Sequence, residues 1–374
     1  MTEALRSEIY VGLMSGTSLD GVDVAILEFA EFPPHLLYCN TTPYKASLRD
    51  RLLALCRSQT TSLDELYSLD AELGETYAEL VNSALANAAI GRQDITAIGC
   101  HGQTIRHSPD SSTPYSVQIG DPNRIATLSG ITTVADFRRK DIALGGQAAP
   151  LAPAFHRFLF RSDEEDRVVI NIGGISNITY LPAKLEQPVL GFDTGPGNTL
   201  LDYWIGRQRD CAFDDDGAWA RSGQVNAGLL ERMLAGEPYF KLNAPKSTGT
   251  EYFNPGWLET YLEGELEAAD VQATLVELTV ETVAGAIRDL PSPPRNCYLC
   301  GGGARNRYLL ERLAQALPEC GITTTAALGL DADFVEAAAF AWLARERINL
   351  RDGNIPEVTR AQRATILGGV YAAG

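Results

Sequence analysis

A polar turn between two apolar runs is the first part of this sequence that could act on a charged ligand. The runs Tyr10–Met14 and Val22–Phe29 favour strands, and Gly16 and Gly21 bracket the turn between them. The turn supplies three hydroxyl groups and a carboxylate. Its glycines allow the backbone N–H groups to approach and surround an anion such as a phosphate. On this stretch alone, an ordinary hairpin with a glycine-rich turn remains the alternative.

A second stretch, Val168–Tyr180, repeats that arrangement about 160 residues further along the chain. It again contains a β-branched strand, a tip of glycine, serine and asparagine, and a second strand. The next strand ends on Asp193 and a glycine-rich turn. We expect Asn198 or Thr199 to cap the helix 200–207 that follows.

Two groups of polar residues follow predicted strands in the first half of the chain. His101 and Gln103 come after the strand Ile95–Cys100, and the carboxyl end of a strand is a common place for a ligand. The segment Asp136–Asp141 follows the strand Thr132–Ala135 and contains three consecutive cations. In so acidic a chain the cations indicate either a site for an anionic substrate group or a solvated charge cluster. A structural role is the alternative for His101.

A third glycine-rich turn, Gly301–Gly303, follows a predicted strand that starts at Asn296 and precedes a predicted helix, 305–317. Such a turn brings backbone close to a nucleotide, although it matches neither the Rossmann nor the P-loop pattern. Cys297 and Cys300 have CxxC spacing, but no second pair accompanies them, so a metal or redox role is not favoured.

Composition restricts the class of protein. The chain has 374 residues, enough for two domains, and its 45% apolar and 8% aromatic content is typical of a soluble globular protein. The net charge of −17 argues against sequence-independent binding to nucleic acid or to an anionic membrane. Seven scattered cysteines favour a reducing cytosol over a disulfide framework. The segment Met1–Tyr10 has no apolar core, so we expect no secretory signal.

The repeated strand–turn–strand unit predicts an α/β protein with a duplicated fold in two lobes. The charged segment Arg161–Arg167 is typical of a junction between domains. We therefore expect an N-terminal lobe of residues 1–165 and a C-terminal lobe of residues 166–347, with the tail, about 348–374, joining the N-terminal lobe. Three glycine-rich turns at strand ends fit a nucleotide held between two lobes, as in actin-like ATPase domains.

Seven motifs occur in the order GLMSGTSLDGVD, CHGQTI, ADFR, NIGGISN, GFDTGPGN, CGGGARN and EAAAFAWLA. From about residue 9 to residue 370, the chain closely resembles the anhydro-N-acetylmuramic acid kinases, which belong to the acetate and sugar kinase/Hsp70/actin superfamily. The resemblance implies two ribonuclease H-like lobes with a nucleotide cleft. It also implies that ATP and water convert 1,6-anhydro-N-acetylmuramic acid into N-acetylmuramic acid 6-phosphate and ADP, in the recycling of peptidoglycan.

The resemblance also implies roles for individual residues. Asp193 corresponds to the catalytic base, which takes a proton from water, with stabilisation of the turn as the structural alternative. Glu336, in the first turn of the predicted helix 333–347, corresponds to an acid near the sugar ring oxygen, with a favourable contact to the helix dipole as the alternative. Arg138 is the expected partner of the lactyl carboxylate, because a guanidinium can bind a carboxylate through two hydrogen bonds. The other expected substrate-binding residues are His101, Gln103 and Asp136.

The resemblance places ATP against the same glycine-rich turns. The phosphate loop runs from Gly16 to Asp23, and Asp20 and Asp23 compete as partners of Mg²⁺ through water. The adenosine side corresponds to the third turn. The residues expected to bind ATP are Gly16, Thr17, Ser18, Leu19, Asp20, Gly21, Val22, Asp23, Asn171, Gly173, Gly174, Gly195, Gly197, Asn198, Gly301, Gly302, Gly303 and Asn306.

One departure from the family pattern is the pair Ala332-Asp333, where the family commonly has proline and aspartate. It weakens the role transferred to Glu336 but affects no proposed reacting group. Two other functions stay open: a plain hexosamine kinase of the same superfamily, and a non-enzymatic actin- or Hsp70-like ATP switch. We expect a cytoplasmic protein whose partners are a sugar and ATP, without nucleic acid or membrane, and the resemblance leaves a homodimer open.

Overall fold

Two sheets contain the twelve strands of the computed structural model, which describes residues 8–58 and 60–374. The first six strands are β1 (Ile9–Ser15), β2 (Gly21–Glu28), β3 (His35–Pro43), β4 (Ile95–Ser108), β5 (Tyr115–Ile119) and β6 (Thr133–Ala135). The second sheet contains β7 (Arg167–Ile172), β8 (Ile175–Leu181), β9 (Leu190–Pro196), β10 (Asn296–Cys300) and β11 (Gly321–Thr324). The last strand, β12 (Gly369–Tyr371), returns to the first sheet.

Helices connect and cover these strands. They are α1 (Ala46–Arg57), α2 (Leu63–Ala88), α3 (Pro122–Ser129), α4 (Arg139–Ala143), α5 (Ala152–Phe160), α6 (Asn198–Arg209), α7 (Ala218–Ser222), α8 (Ala227–Gly236), α9 (Pro255–Glu259), α10 (Ala268–Arg288), α11 (Arg307–Ala316), α12 (Val335–Ile348) and α13 (Pro356–Thr359). Within the described residues, no helix is both long enough and apolar enough to cross a lipid bilayer. We predicted no secretory signal in the segment Met1–Tyr10, and residues 1–7 of that segment lie outside the described residues.

The two sheets share the same topology in their five core strands. In the first, β2 pairs antiparallel with β1 and β3, whereas β4 pairs parallel with β1 and β6. In the second, β8 pairs antiparallel with β7 and β9, whereas β10 pairs parallel with β7 and β11. The five core strands therefore have the same arrangement in both sheets, β3-β2-β1-β4-β6 in the first and β9-β8-β7-β10-β11 in the second. Each is an antiparallel meander followed by two parallel strands that are reached through helical connections. This order defines the ribonuclease H-like sheet, so the predicted duplicated fold is confirmed.

The chain divides into two compact units at points that differ from the predicted boundaries at 165 and 347. The first unit contains the described residues up to Phe155 together with Phe334–Gly374, and the second is His156–Asp333. Helix α12 belongs to the first unit because it packs on β1 and β4. The C-terminal tail also joins the first unit, where β12 pairs with β6. The predicted junction Arg161–Arg167 lies inside the second unit.

Strand β4 is longer than the sequence predicts. The expected end at Cys100 is wrong, because residues Gln103–Ser108 continue the strand by pairing with β5. Gly102 has a φ of +74°, which lets the backbone bend without ending the strand. His101 and Gln103 therefore lie within a strand rather than in a loop after it.

Helix α12 lies very close to the first sheet, because glycines occupy the strands beneath it. A Cβ atom at Gly12 would lie 1.8 Å from the carbonyl oxygen of Ala337, and one at Gly99 would lie 1.9 Å from that of Phe340. No larger residue fits at either position without moving the helix. The close approach positions the start of α12, with Glu336 in its first turn, over β1 and β2.

We expect Gly99→Ala to destabilise the first unit by about 1–3 kcal/mol or more, because its methyl group would overlap the Phe340 carbonyl. Gly285→Ala is the matched control, since nothing lies within 4 Å of a Cβ atom there. In the interior of α10 this change should stabilise the protein by about 0.5–1 kcal/mol. Thermal and denaturant unfolding would measure both effects, and equal stability of the two variants would contradict the close approach.

Candidate active site

A buried polar network holds the turn between β1 and β2. Ser15 Oγ lies 2.6 Å from Gln103 Oε1 and 3.1 Å from the Gly21 carbonyl oxygen, and the Tyr44 hydroxyl donates to Ser15 Oγ at 2.8 Å. Gln103 Nε2 donates to the carbonyl of Gly16 at 3.2 Å. Gln103 is completely buried. The structure therefore directs its amide to the turn rather than to solvent, although Gln103 was predicted to bind substrate.

The side chains of the predicted phosphate loop differ in exposure. Thr17, Ser18 and Asp20 are exposed, whereas Leu19 and Val22 are buried in the hydrophobic core of the first unit. Leu19 has a φ of +57°, which tightens the turn. The buried side chains of Leu19 and Val22 therefore cannot contact a ligand, although the backbone groups of these two residues can.

Asp23 lies on β2 beside the turn, where Thr41 Oγ1 donates to its Oδ1 at 2.6 Å. Desolvation raises the pKa of Glu336, the nearby Arg138 guanidinium lowers it, and the negative charge of Asp23 raises it further. Mg²⁺ usually keeps several water ligands and binds through one or two carboxylates plus phosphates. The carboxylates of Asp20 and Asp23, which were predicted to hold Mg²⁺ through water, have the ligand type that this mode uses; Asp20 is exposed and Asp23 is partly buried. Among residues 8–58 and 60–374, no cluster of three or more His, Cys, Asp or Glu side chains could hold a metal ion.

Arg138 and His101 form a hydrogen-bonded pair within the first unit. Nε and Nη2 of Arg138 donate to His101 Nε2 at 3.1 and 2.9 Å, which requires a neutral imidazole with its proton on Nδ1. Burial, followed by the charge of Arg138, holds the pKa of His101 well below its ordinary value. Arg138 also donates to the carbonyl of Ala148. Burial lowers the pKa of Arg138 to about 10, against the opposing charges of Glu336 and Asp141.

The three consecutive cations have different surroundings, so neither a single anion site nor a solvated cluster describes all of them. Arg138 is partly buried, as described above. Arg139 forms an ion pair with Asp136 at 2.7 Å, and Lys140 is exposed. Asp136 and Arg139 line a cavity of about 290 Å³ in the first unit, with Tyr67 at its wall. Asp136, which was predicted to bind substrate, is therefore already paired.

Asp141 positions Arg138 indirectly, by holding the segment that contains Ala148. Its carboxylate is completely buried and accepts hydrogen bonds from the Ala148 N–H at 2.7 Å, Asn354 Nδ2 at 2.7 Å and Thr359 Oγ1 at 2.8 Å. It thereby holds the segment whose carbonyl receives the guanidinium. The C-terminal part of the chain, through Asn354 and Thr359, thus helps to orient Arg138.

In the second unit, the turn between β7 and β8 meets the start of α6. The N–H groups of Gly197 and Asn198 donate to the carbonyls of Gly174 and Gly173 at 2.9 and 2.8 Å. The prediction that Asn198 or Thr199 caps this helix is wrong: Gly197 occupies the cap position, and there is no side-chain cap. Carbonyls of the glycine turn satisfy the first N–H groups instead.

The third glycine-rich turn packs against the same segment. A Cβ atom at Gly301 would lie 2.4 Å from Asn171 Oδ1, and one at Gly303 would lie 2.4 Å from Ile172 Cγ2. The structure therefore brings most of the predicted nucleotide-binding residues of the second unit together, whereas Gly195 faces Phe240 and Thr282 instead. Asn306 is buried, and its Oδ1 accepts from the Leu309 N–H at 3.0 Å, so it caps α11.

Asp193 lies within β9, at an irregularity in the pairing with β8 that can re-aim a side chain. Its Oδ2 accepts from the Thr248 N–H at 2.9 Å, and the Tyr239 hydroxyl donates to its carbonyl at 2.8 Å. Burial raises the pKa of Asp193 to about 7; the Thr248 hydrogen bond lowers it, and the charge of Glu251 raises it. A carboxyl group with this pKa is suited to take a proton at neutral pH.

Sequence reasoning missed Thr248 and Tyr239, because their contacts to Asp193 span 55 and 46 residues of chain. The small polar run Pro245–Gly249 is the signal that could have directed attention to this loop.

Comparison with known proteins gives one family along almost the whole chain. The family model described as anhydro-N-acetylmuramic acid kinase matches residues 8–373. Proteins of that name from Pasteurella multocida (strain Pm70) and Coxiella burnetii (strain RSA 493 / Nine Mile phase I) are 50% and 48% identical to it. The alignments cover 97% and 98% of this chain and 96% and 98% of the relatives. A solved PilM-PilN type IV pilus biogenesis complex covers 90% of this chain and 98% of its own at 13% identity, with a TM-score of 0.46.

The sheet topology, repeated in two units, defines a protein of the duplicated ribonuclease H-like class to which actin-like ATPases and sugar kinases belong. Within that class, the chain belongs to the anhydro-N-acetylmuramic acid kinase family, as the sequence motifs predicted. It is therefore a sugar kinase, and the predicted enzyme class is confirmed.

We expect Ser15→Ala to lower the free energy of unfolding by about 1–3 kcal/mol, because it leaves buried polar partners without a hydrogen bond. Ser18→Ala removes an exposed hydroxyl from the same turn and should change stability by less than about 0.5 kcal/mol. Denaturant unfolding of both variants measures the difference. Equal losses would show that the network does not hold the turn.

Proposed function

We propose that this protein uses ATP and water to convert 1,6-anhydro-N-acetylmuramic acid into N-acetylmuramic acid 6-phosphate and ADP. The observation that carries the proposal is the partly buried Asp193, whose pKa of about 7 suits a general base, in a chain of this kinase family. The reaction would serve the recycling of peptidoglycan fragments in the cytoplasm.

Asp193 takes the proton from a water molecule as the water oxygen forms a bond to C1 of the sugar. The bond between C1 and O6 breaks, and its electron pair passes to O6. O6 then bonds to the γ-phosphorus, and the bond from that phosphorus to the bridging oxygen breaks to release ADP. A base with its pKa near the working pH combines a sufficient ionised fraction with a sufficient affinity for the proton.

The turn from Gly16 to Asp23 contributes backbone N–H groups to the phosphates, whose charge must be spread during transfer. Asp20 and Asp23 would hold Mg²⁺ through water, and Mg²⁺ would supply neutralising charge when bound. Gln103 acts here as a positioning residue, because it holds Ser15 and the Gly16 carbonyl. In the second unit, the cluster of glycine turns with Asn171 and Asn198 contributes the remaining contacts to ATP.

Arg138 binds the lactyl carboxylate of the sugar, and Glu336 faces the ring oxygen. His101 fixes the guanidinium through the two hydrogen bonds to its Nε2. Since the imidazole stays neutral, it accepts these hydrogen bonds and does not repel the guanidinium. Lysine could not reproduce this geometry, because a planar guanidinium offers several donors in one fork.

Oxygen labelling tests the hydrolytic step. Incubation with ATP, Mg²⁺ and the anhydro sugar in ¹⁸O-water should place one ¹⁸O at C1 of the phosphorylated product, as read by mass spectrometry. A plain hexosamine kinase would give an unlabelled product, because it transfers phosphate without consuming water at C1. A non-enzymatic ATP switch would hydrolyse ATP slowly and without regard to the sugar. Either result would overturn the proposal.

We expect Asp193→Asn to lower kcat by about 10²–10⁴-fold, because the amide cannot accept the proton from water. In the unmodified enzyme the ionised carboxylate is the active form, so kcat should fall as the pH drops below about 7 and level off above it. Asp210→Asn, at an exposed position after α6, is the control and should keep wild-type kcat. Near wild-type activity of Asp193→Asn would refute the role of the base.

A further inference from the structure

Glu237 is a buried carboxylate that lies outside the residues assigned above to the reaction. It is only 3% exposed. Its Oε1 accepts hydrogen bonds from the Tyr239 N–H at 2.8 Å and the Tyr252 hydroxyl at 2.6 Å, and its Oε2 accepts from Trp257 Nε1 at 2.7 Å. These three donors are neutral groups, and hydrogen bonds to an ionised acceptor are stronger than those between neutral groups.

The donors come from both ends of one loop, residues 239–257. Tyr239 stands at its start, whereas Tyr252 and Trp257 stand at its end, so Glu237 ties the two ends together. Phe240 and Phe253 stack between them, with ring centroids 5.6 Å apart and planes inclined by 6°. We call Glu237, Tyr239, Tyr252 and Trp257 the loop tether.

The tethered loop delivers several contacts to Asp193. The N–H of Thr248 reaches its Oδ2, the carbonyl of Lys246 accepts from its N–H at 3.1 Å, and the Tyr239 hydroxyl reaches its carbonyl. Tyr239 is thus both held by Glu237 and bonded to the strand that carries the base. A shift of the loop would therefore move the donor on Oδ2.

The charged and titratable neighbours of Asp193 come largely from the same loop. Glu251 raises its pKa, and Tyr239 faces its backbone carbonyl. The Lys246 ammonium donates to the Tyr239 carbonyl at 3.2 Å. From β8, the residue opposite Asp193 is the neutral Asn177. The loop thus supplies both the donor and the charge that act on this carboxyl group.

We propose that Glu237 is a positioning residue that, through the loop tether, holds the Thr248 N–H on the carboxylate of Asp193. The inference rests on the proposed function for its kinetic consequence, but the tether itself is a property of the folded chain. Loss of the tether removes a hydrogen bond from the ionised base, so the pKa of Asp193 rises and the acid limb of activity moves to higher pH.

Hydrogen exchange of the purified full-length protein tests the tether without any substrate. In Glu237→Gln and Tyr252→Phe, we expect amides of residues 244–250 to exchange about tenfold faster, with helix α10 unchanged. Tyr252→Phe removes one hydroxyl from a residue that is 45% exposed, so it should fold even if Glu237→Gln does not. Tyr115→Phe removes a hydroxyl from a tyrosine that is 44% exposed in the first unit, so it is the control and should exchange like wild type.

The pH profile of kcat tests the consequence for the base. The acid limb of both tether variants should move up by as much as about one pH unit, with KM for ATP unchanged and part of the lost rate restored at higher pH. A purely structural role would lower the unfolding temperature without moving the limb. Unchanged exchange, or an unmoved limb in a folded variant, overturns the inference. A wild-type enzyme inactive on the anhydro sugar would refute the proposed function instead, and hydrogen exchange would still decide the tether.

Discussion

The close approach of helix α12 to the first sheet is the constraint on which the arrangement of the first unit depends. Backbone carbonyls of the helix lie where side chains of β1 and β4 would otherwise be, and only glycine at positions 12 and 99 permits this. The same contact sets Phe340 against His101, with ring centroids 4.7 Å apart. The charges of Arg138 and Asp23 therefore both act on Glu336 because a helix from the end of the chain packs on strands from its beginning.

Both units use a buried carboxylate to hold a loop, and in each case the loop presents a backbone group to a functional side chain. Asp141 gathers Ala148, Asn354 and Thr359, and Ala148 then receives Arg138. Glu237 gathers donors from the two ends of its own loop. A buried carboxylate is costly to desolvate unless several donors meet it. Its environment is therefore specific, and it fixes the positions of its donors more closely than an apolar contact would.

The fold and the assembly of the glycine turns within the second unit could be predicted from the sequence because both depend on local patterns. β-Branched runs around Gly16 and Gly173 indicate the repeated hairpins, and the duplication indicates the class. The extension of β4 could not be predicted, since it depends on pairing with β5. The assignment of α12 to the first unit and the contact of Thr248 with Asp193 depend on long-range packing. Burial of Gln103 likewise follows from its neighbours in space rather than from its type.

The pairing of Arg138 with His101 also restricts how this protein can change over evolutionary time. The imidazole stays neutral because burial disfavours its charged form, and the guanidinium also donates to its Nε2 and repels a second proton. A lineage that lost the arginine alone would leave the buried Nε2 of the histidine without its hydrogen-bond donor. A lineage that lost the histidine alone would leave a partly buried cation without one of its two acceptors. The two positions should therefore be replaced together or retained together.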